Sequence, residues 1–127
     1  MRTLGIEIVR LGPGEIELTM GYSRAYTQQH GFTHAGIIAT ALDSACGYAA
    51  FSLMADDAAV LTVEFKINLL APAKAERFSF RGRVVKAGRV ITVSEGQALA
   101  IDAEGERPVA TMVCTLMAVV NRDGIHQ

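Results

Sequence analysis

The distribution of apolar residues separates one long, uniformly apolar segment from several segments in which apolar and polar residues alternate. From Ala35 to Met54 the residues are apolar or small, and Asp43 carries the only charge. A helix that is apolar on every side must be buried in a protein core or in a membrane. We therefore predict a helix over His34–Met54, about 30 Å long, that a sheet encloses and that Thr33 or His34 caps.

The alternating segments on both sides of this helix predict strands. Before the helix, Leu4–Arg10 and Glu15–Met20 flank the turn signal Gly12-Pro13-Gly14 and predict a hairpin. Four further strands follow the helix, with turns at Lys86–Arg89 and at Glu104-Gly105. They are expected at Leu61–Leu69, Phe78–Val84, Val90–Ile101 and Pro108–Val120.

The alternation predicts the buried face of the first of these four strands and leaves that of the third open. In the first, Leu61 and Phe65 are expected on the buried face and Thr62 on the polar face. In the third, Glu95 has the parity of the apolar residues around it. Either a β-bulge near Gly96 shifts the phase, or Glu95 lies on an exposed or subunit-facing side.

The order of two strands, one long helix and four strands predicts a single α+β domain over residues 1–127. Its expected architecture is an antiparallel sheet wrapped around one central helix. Such a sheet cannot cover a helix of this length alone, and it leaves strand edges unpaired. A homodimer that extends the sheet and covers the helix solves both problems.

Charge and composition exclude several classes of function. The formal net charge of −1 argues against a nucleic-acid partner. A membrane span is disfavoured because Asp43 lies near the middle of the apolar segment, where it costs roughly 2.5–3.5 kcal/mol. The N-terminal residues lack the pattern of a signal peptide, and Cys46 and Cys114 lie in apolar runs. We expect a cytoplasmic protein with buried, reduced thiols.

Motifs for metal or serine chemistry are missing from the sequence. Its three histidines, His30, His34 and His126, do not form a metal-ligand cluster with cysteines or carboxylates. A nucleophile-elbow pattern is also absent. We therefore expect a site without a metal or a cofactor.

The residues before and within the helix carry a family resemblance. Gln28 is followed after six positions by His34-Ala35-Gly36, and Asp43 stands nine positions after His34. This spacing resembles the hotdog-fold acyl-CoA thioesterases, in particular the phenylacetate-pathway and 4-hydroxybenzoyl-CoA (Arthrobacter-type) branches. The resemblance covers nearly the whole chain, including Asn68–Pro72 and Val84–Arg89.

The resemblance implies a role for each of these residues in hydrolysis of an acyl- or aryl-CoA thioester. Asp43 would be the nucleophile or the general base, Gln28 would polarise the carbonyl, and His34 would shape the loop at the helix start. A basic turn would bind the phosphates of coenzyme A, often across the subunit interface. That turn contains Lys86, Gly88 and Arg89. A dimer, and a tetramer formed from two dimers, is the implied assembly.

The residues themselves indicate similar chemistry. The free N–H groups at a helix N-terminus can stabilise an oxyanion, and Ala35 and Gly36 are small enough for a carbonyl to approach. The positions that share the helix face of Asp43 are also small and predict a groove. They are Gly36, Ala39, Thr40, Cys46, Gly47 and Ala50. Gly47 predicts close approach by the substrate's thin arm or by a partner helix.

Two departures from the family pattern leave other functions open. Ala35 replaces a glycine whose backbone N–H the family uses, and Gly47 stands where some members carry a hydroxyl. If a hydroxyl orients the water, it must come from elsewhere. A non-catalytic acyl-CoA-binding module is one alternative. A hotdog hydratase is a weaker one, because no histidine follows Asp43 on the predicted helix.

Overall fold

A computed structural model of the chain describes residues 5–21 and 31–120. Two strands, one helix and four strands follow one another, as the sequence predicts. They are β1 (Ile6–Gly12), β2 (Glu15–Gly21), α1 (Ala35–Phe51), β3 (Ala58–Leu69), β4 (Arg77–Ala87), β5 (Ile91–Asp102) and β6 (Gly105–Val120). The strands form one antiparallel sheet in the order β1-β2-β4-β5-β6-β3. β3 therefore lies at an edge, although it directly follows the helix.

Helix α1 packs on the sheet along one face only. Its buried residues recur every three or four positions, as expected for one helix stripe. They are Ile38, Ala41, Leu42, Ala45, Cys46, Ala49 and Ala50. On the other side Tyr48 is 37% exposed and Phe51 46% exposed. Within one chain the sheet therefore covers one face of the helix, as expected for a sheet that cannot cover a helix of this length alone. No helix in the described part of the chain is long and apolar enough to cross a membrane.

The helix is shorter than predicted and ends at Phe51 rather than Met54. Beyond this point Leu53 and Met54 donate to carbonyls only three residues back, which is a tighter turn. Ser52 ties this end to the first hairpin. Its hydroxyl donates to the Ala49 carbonyl and accepts the Gly14 N–H, both at 2.7 Å.

A β-bulge corrects the predicted faces of β3. Thr62 pairs with Leu116 and Glu64 pairs with Thr115, so Val63 is the extra residue. Because Leu116 faces the helix, Thr62 faces it too. The strict alternation that placed Thr62 on the polar face is therefore broken at Val63.

The question about Glu95 is settled by the register of β5. Residues Ser94 to Ile101 pair with β4 without interruption, so the proposed bulge near Gly96 is not present. Irregularities occur instead between Val84 and Lys86 and between Ala98 and Leu99. Glu95 pairs with Arg83 on the face away from the helix, as the second interpretation required.

Charged side chains on that outer face form a connected network around Glu17. Its carboxylate accepts from the Ser79 hydroxyl at 2.7 Å and from Arg81 Nε at 3.3 Å. Arg81 also donates to Glu106 at 2.8 Å. The Ser79 hydrogen bond, together with Arg81 and Arg10, lowers the pKa of Glu17 below its ordinary value.

Two glycines allow the sheet to approach the helix backbone. A Cβ atom at Gly82 would lie 2.7 Å from the Ala45 carbonyl oxygen. One at Gly96 would lie 3.1 Å from Cys46 Sγ and 3.2 Å from a Leu42 methyl. At the middle of α1, β4 therefore contacts the helix backbone, and β5 contacts the side chains of Cys46 and Leu42.

We predict that Gly82→Ala destabilises the fold by about 1–3 kcal/mol, because the added methyl collides with helix backbone that cannot move independently. Chemical denaturation measures the free energy of unfolding. Gly12→Ala is the control, since a Cβ atom there meets nothing within 4 Å. Equal stability of the two variants would contradict this account of the contact.

A second prediction concerns the pH dependence of stability. Because the folded pKa of Glu17 lies below its ordinary value of 4.5, the unfolded chain binds the proton more tightly. The stabilisation is present above pH 4.5 and is lost as the pH falls through the folded pKa. Glu17→Gln should therefore flatten the acid side of the stability profile. Glu76→Gln, at an exposed carboxylate outside this network, should leave that profile unchanged.

Candidate active site

Asp43 lies at the middle of α1, half-buried at the border between the packed and the open side. Its Oδ1 accepts a hydrogen bond from the Thr62 hydroxyl at 2.9 Å and one from the Cys114 thiol at 3.7 Å. Those two donors stand on β3 and β6. The described residues place no hydrogen-bond donor on Oδ2. One oxygen of the carboxylate is therefore held by the sheet.

Thr62 was missed as a site residue because its face was predicted from strict alternation. The bulge at Val63 that brings it to the helix depends on pairing with β6 and has no clear local signal. One indirect signal was present in the sequence. Gly47 lacks the hydroxyl that the family resemblance suggests after the acid, so a hydroxyl, if one orients the water, must come from another element. Thr62 places one beside Asp43.

The helix begins beside an open surface. His34 is the N-cap residue, but no side chain caps the helix, so the predicted cap by Thr33 or His34 is not formed. Thr33 instead anchors the helix start to the chain before β4, because its N–H donates to the Ala73 carbonyl at 2.7 Å. Ala35 and Gly36 are exposed, and a Cβ atom at Gly36 would meet nothing within 4 Å. Their amides lie at the positive end of the helix dipole, where no intrahelical acceptor exists.

The amides of Ala35 and Gly36 lie far from Asp43 along the helix axis. They lie seven and eight residues before it in the same helix, which corresponds to a rise of roughly 11–12 Å. A hydrogen bond spans only about 2.9 Å between donor and acceptor. A single carbonyl group therefore cannot contact the amides and the carboxylate of the same helix together.

The predicted groove of small residues is only partly correct. Cys46 and Ala50 are completely buried against the sheet and belong to the core. Gly36, Ala39 and Thr40 remain on the open or half-buried side. Among the described residues, a Cβ atom at Gly47 would approach only a Leu116 methyl, at 3.9 Å. The chain itself does not crowd Gly47, so the substrate arm and a partner helix both remain open explanations.

The basic turn lies far from the helix start within one chain. Val84, just before the turn, donates its N–H to the Gly14 carbonyl, and the Gly14 N–H is bonded to Ser52 at the helix end. Lys86 and Arg89 are exposed. Gly88 closes the turn by donating to the Ile91 carbonyl at 2.8 Å, and a Cβ atom there would collide with that oxygen.

Three of the residues named from the sequence are not placed by the structure. Gln28, His30 and His126 lie outside the described residues. The proposed part of Gln28 in polarising the carbonyl therefore stays a prediction.

Comparisons with known proteins agree with this architecture. The family model of the thioesterase superfamily matches residues 30–104. A curated protein of Saccharolobus solfataricus, provisionally named an esterase, is 32% identical over 92 residues, which is 72% of this chain and 65% of the relative. The chain thus matches slightly less than two thirds of that relative's length.

Solved structures show the same fold. A thioesterase family protein from Silicibacter pomeroyi is 61% identical, with a TM-score of 0.94 over 95% of this chain and 89% of that one. The phenylacetic acid degradation protein PaaI from Thermus thermophilus, solved as a mutant, is 22% identical with a TM-score of 0.81, over 92% and 96% of the two chains. At that identity the likeness concerns the fold alone. The chain belongs to the thioesterase superfamily, and its single helix packed on an antiparallel sheet is the hotdog fold.

Proposed function

We propose that this protein hydrolyses an acyl- or aryl-CoA thioester to the free acid and coenzyme A, acting as a cytoplasmic homodimer or as a tetramer of two dimers. One observation carries the proposal. Asp43 lies half-buried at the border of the open side of α1, with one oxygen that no described residue bonds, and the first residues of the helix are exposed. A carboxylate and an oxyanion site are the two elements that this hydrolysis needs.

Asp43 can serve the reaction in two ways. As a nucleophile, Oδ2 attacks the thioester carbon, the C–S bond breaks, and water then hydrolyses the mixed anhydride. As a general base, Oδ2 takes a proton from a water molecule that attacks instead. In both cases the thiolate of coenzyme A leaves and takes up a proton. Thr62, bonded to Oδ1, keeps the carboxylate oriented.

The helix amides supply the electrostatic part of the mechanism. As the thioester carbonyl becomes tetrahedral, its oxygen gains negative charge, which the N–H groups of Ala35 and Gly36 can stabilise. Ala35 keeps this donor although the family carries glycine. The Gln28 side-chain amide is proposed as a further donor, and His34 as the residue that shapes the entry.

The distance along the helix supports a site shared by two subunits. Since amides and carboxylate of one helix cannot reach the same carbonyl, the amides of one subunit would act with Asp43 of the partner subunit. Strand β3 offers the means of assembly. It is an edge strand of 12 residues with exposed apolar side chains, among them Val63 at 53% and Phe65 at 43%.

Pairing two β3 strands about their common midpoint gives the required geometry. Because β3 spans Ala58–Leu69, antiparallel pairing about its centre sets Thr62 of one subunit opposite Phe65 of the other. The helix start lies roughly 12 Å from the level of Asp43, or about three to four strand residues beyond Thr62. That is the level of Phe65, so Asp43 of the partner subunit would lie near the amides.

The same antiparallel pairing of two subunits also brings the basic turn of the partner subunit toward the proposed site. Antiparallel pairing reverses the direction of the partner, so its turn lies at the end of the dimer where the first subunit's helix begins. We propose that Lys86 and Arg89 of the partner contact the phosphates of coenzyme A, while Gly88 keeps the turn tight. A hydratase is disfavoured because α1 contains no histidine to pair with Asp43.

We predict that Asp43→Asn abolishes hydrolysis, since the amide can neither attack the carbonyl nor accept a proton from water. The measurement is thiol release over a panel of aryl, short-chain and long-chain acyl-CoA esters. Substantial turnover in Asp43→Asn would refute the assignment. Binding of acyl-CoA by the wild type without thiol release would support the alternative of a non-catalytic binding module.

We further predict that Ala35→Pro lowers kcat/KM by about 10²–10³-fold, the usual cost of one oxyanion donor. Proline is tolerated at the first helical position, and His34 has ψ 138°, which suits a residue before proline. The substitution therefore removes one N–H and keeps the helix. Ala35→Gly, which retains that N–H, is the control and should stay active.

Mixing the two inactive variants tests the shared site. If equal amounts of the two variants exchange subunits at random, about half of the dimers contain one chain of each kind. In such a dimer, the intact amides of the Asp43→Asn chain act with the intact Asp43 of the Ala35→Pro chain, so one of the two sites is complete. Activity should then recover to about a quarter of the wild-type value. A site built from a single chain predicts no recovery, because every helix carries a defect.

A further inference from the structure

A pair of buried thiols lies directly beneath Asp43. Cys114 on β6 and Cys46 on α1 are both unoxidised and completely buried. The Cys114 thiol donates to Asp43 Oδ1 at 3.7 Å. Neither sulfur takes part in the hydrolysis proposed above, so the contact between a thiol and the reacting carboxylate needs its own explanation.

These thiols are unsuited to nucleophilic or redox chemistry. Contact with Cys114, followed by burial, raises the pKa of Cys46 far above its ordinary value. Only thiolates attack substrates and oxidants efficiently, and neither sulfur is accessible to solvent. The remaining chemical contribution of such a buried thiol is that of a weak hydrogen-bond donor.

Both side-chain donors to Asp43 converge on the same oxygen. Thr62 approaches Oδ1 from the edge strand β3, and Cys114 approaches it from β6. Phe65 pairs with Cys114 and Thr62 with Leu116, so the two donors stand on neighbouring strands of the helix-facing side. Two donors from different strands restrict rotation of the carboxylate more than one would. They also leave Oδ2 without a donor among the described residues.

We propose that Cys114 is a positioning residue, which together with Thr62 holds Oδ1 of Asp43 so that Oδ2 is the reacting oxygen. This inference rests on the proposed function, because it gives Asp43 its role in the reaction. Cys114 lies below the carboxylate, on the side opposite the open surface, and does not touch the thioester. Its loss therefore affects the reaction step and leaves substrate binding unchanged.

The test compares variants at Cys114 with a matched variant at Cys46. Cys114→Ala removes the donor and should lower kcat about three- to tenfold, the range expected for a weak hydrogen bond to a charged group, with little change in KM. Cys114→Ser restores a donor and should recover most of kcat. Cys46→Ala removes an equally buried sulfur that is not among the described hydrogen-bond donors to Asp43 and should leave kcat within about twofold of wild type.

Thermal melting shows whether each variant is folded. If Cys114→Ala is not, Cys114→Val fills the space without a donor, suits a strand, and takes its place in the comparison with Cys114→Ser. The proposal is overturned if the variants without a donor match Cys46→Ala in kcat. It is also overturned if serine is no better than alanine or valine, or if only KM changes. An active Asp43→Asn would instead refute the proposed function itself, so the two failures are distinguishable.

Discussion

The contact between helix and sheet at two glycines is the constraint on which the rest of the structure depends. At Gly82 the strand backbone approaches the Ala45 carbonyl, and at Gly96 the strand meets Cys46 and Leu42. Neither strand position has a side chain of its own, so β4 meets the helix backbone at Gly82, and β5 meets the side chains of Cys46 and Leu42 at Gly96. These two contacts set the distance between α1 and the strands β4 and β5.

This close contact explains why strand side chains can donate hydrogen bonds to a carboxylate in a largely apolar helix. Asp43 is one turn of helix away from Cys46, which packs against Gly96. A helix held farther from the sheet would leave Asp43 beyond the short side chains of Thr62 and Cys114, which reach it at 2.9 and 3.7 Å. Small residues in the strands therefore support the geometry of a charged group on the helix.

Much of the fold was predictable, because hydrophobic period and turn residues are local properties. The order of elements, the three hairpin turns and the long helix follow from them. The errors arise where tertiary pairing decides. Helical spacing grouped Cys46 and Ala50 with Asp43, but spacing alone does not tell which part of a face packs on the sheet. Likewise, the bulge at Val63 exists only through the register with β6, so alternation assigned Thr62 to the wrong face.

The candidate site follows the same division. Spacing along one helix relates Asp43 to the helix start, whereas Thr62 and Cys114 come to it from 19 and 71 positions away in the sequence.

The alanine at position 35 is compatible with the backbone geometry of the helix start. The positive-φ glycines of the described chain are Gly5, Gly14, Gly31 and Gly105, and they do not include Gly36. The helix start therefore needs no left-handed residue, and Ala35 occupies an ordinary first helical position. A methyl group there leaves the N–H in place and projects from an exposed residue. In the proposed site, the methyl group would therefore narrow the approach to the amides and leave the proposed donor in place.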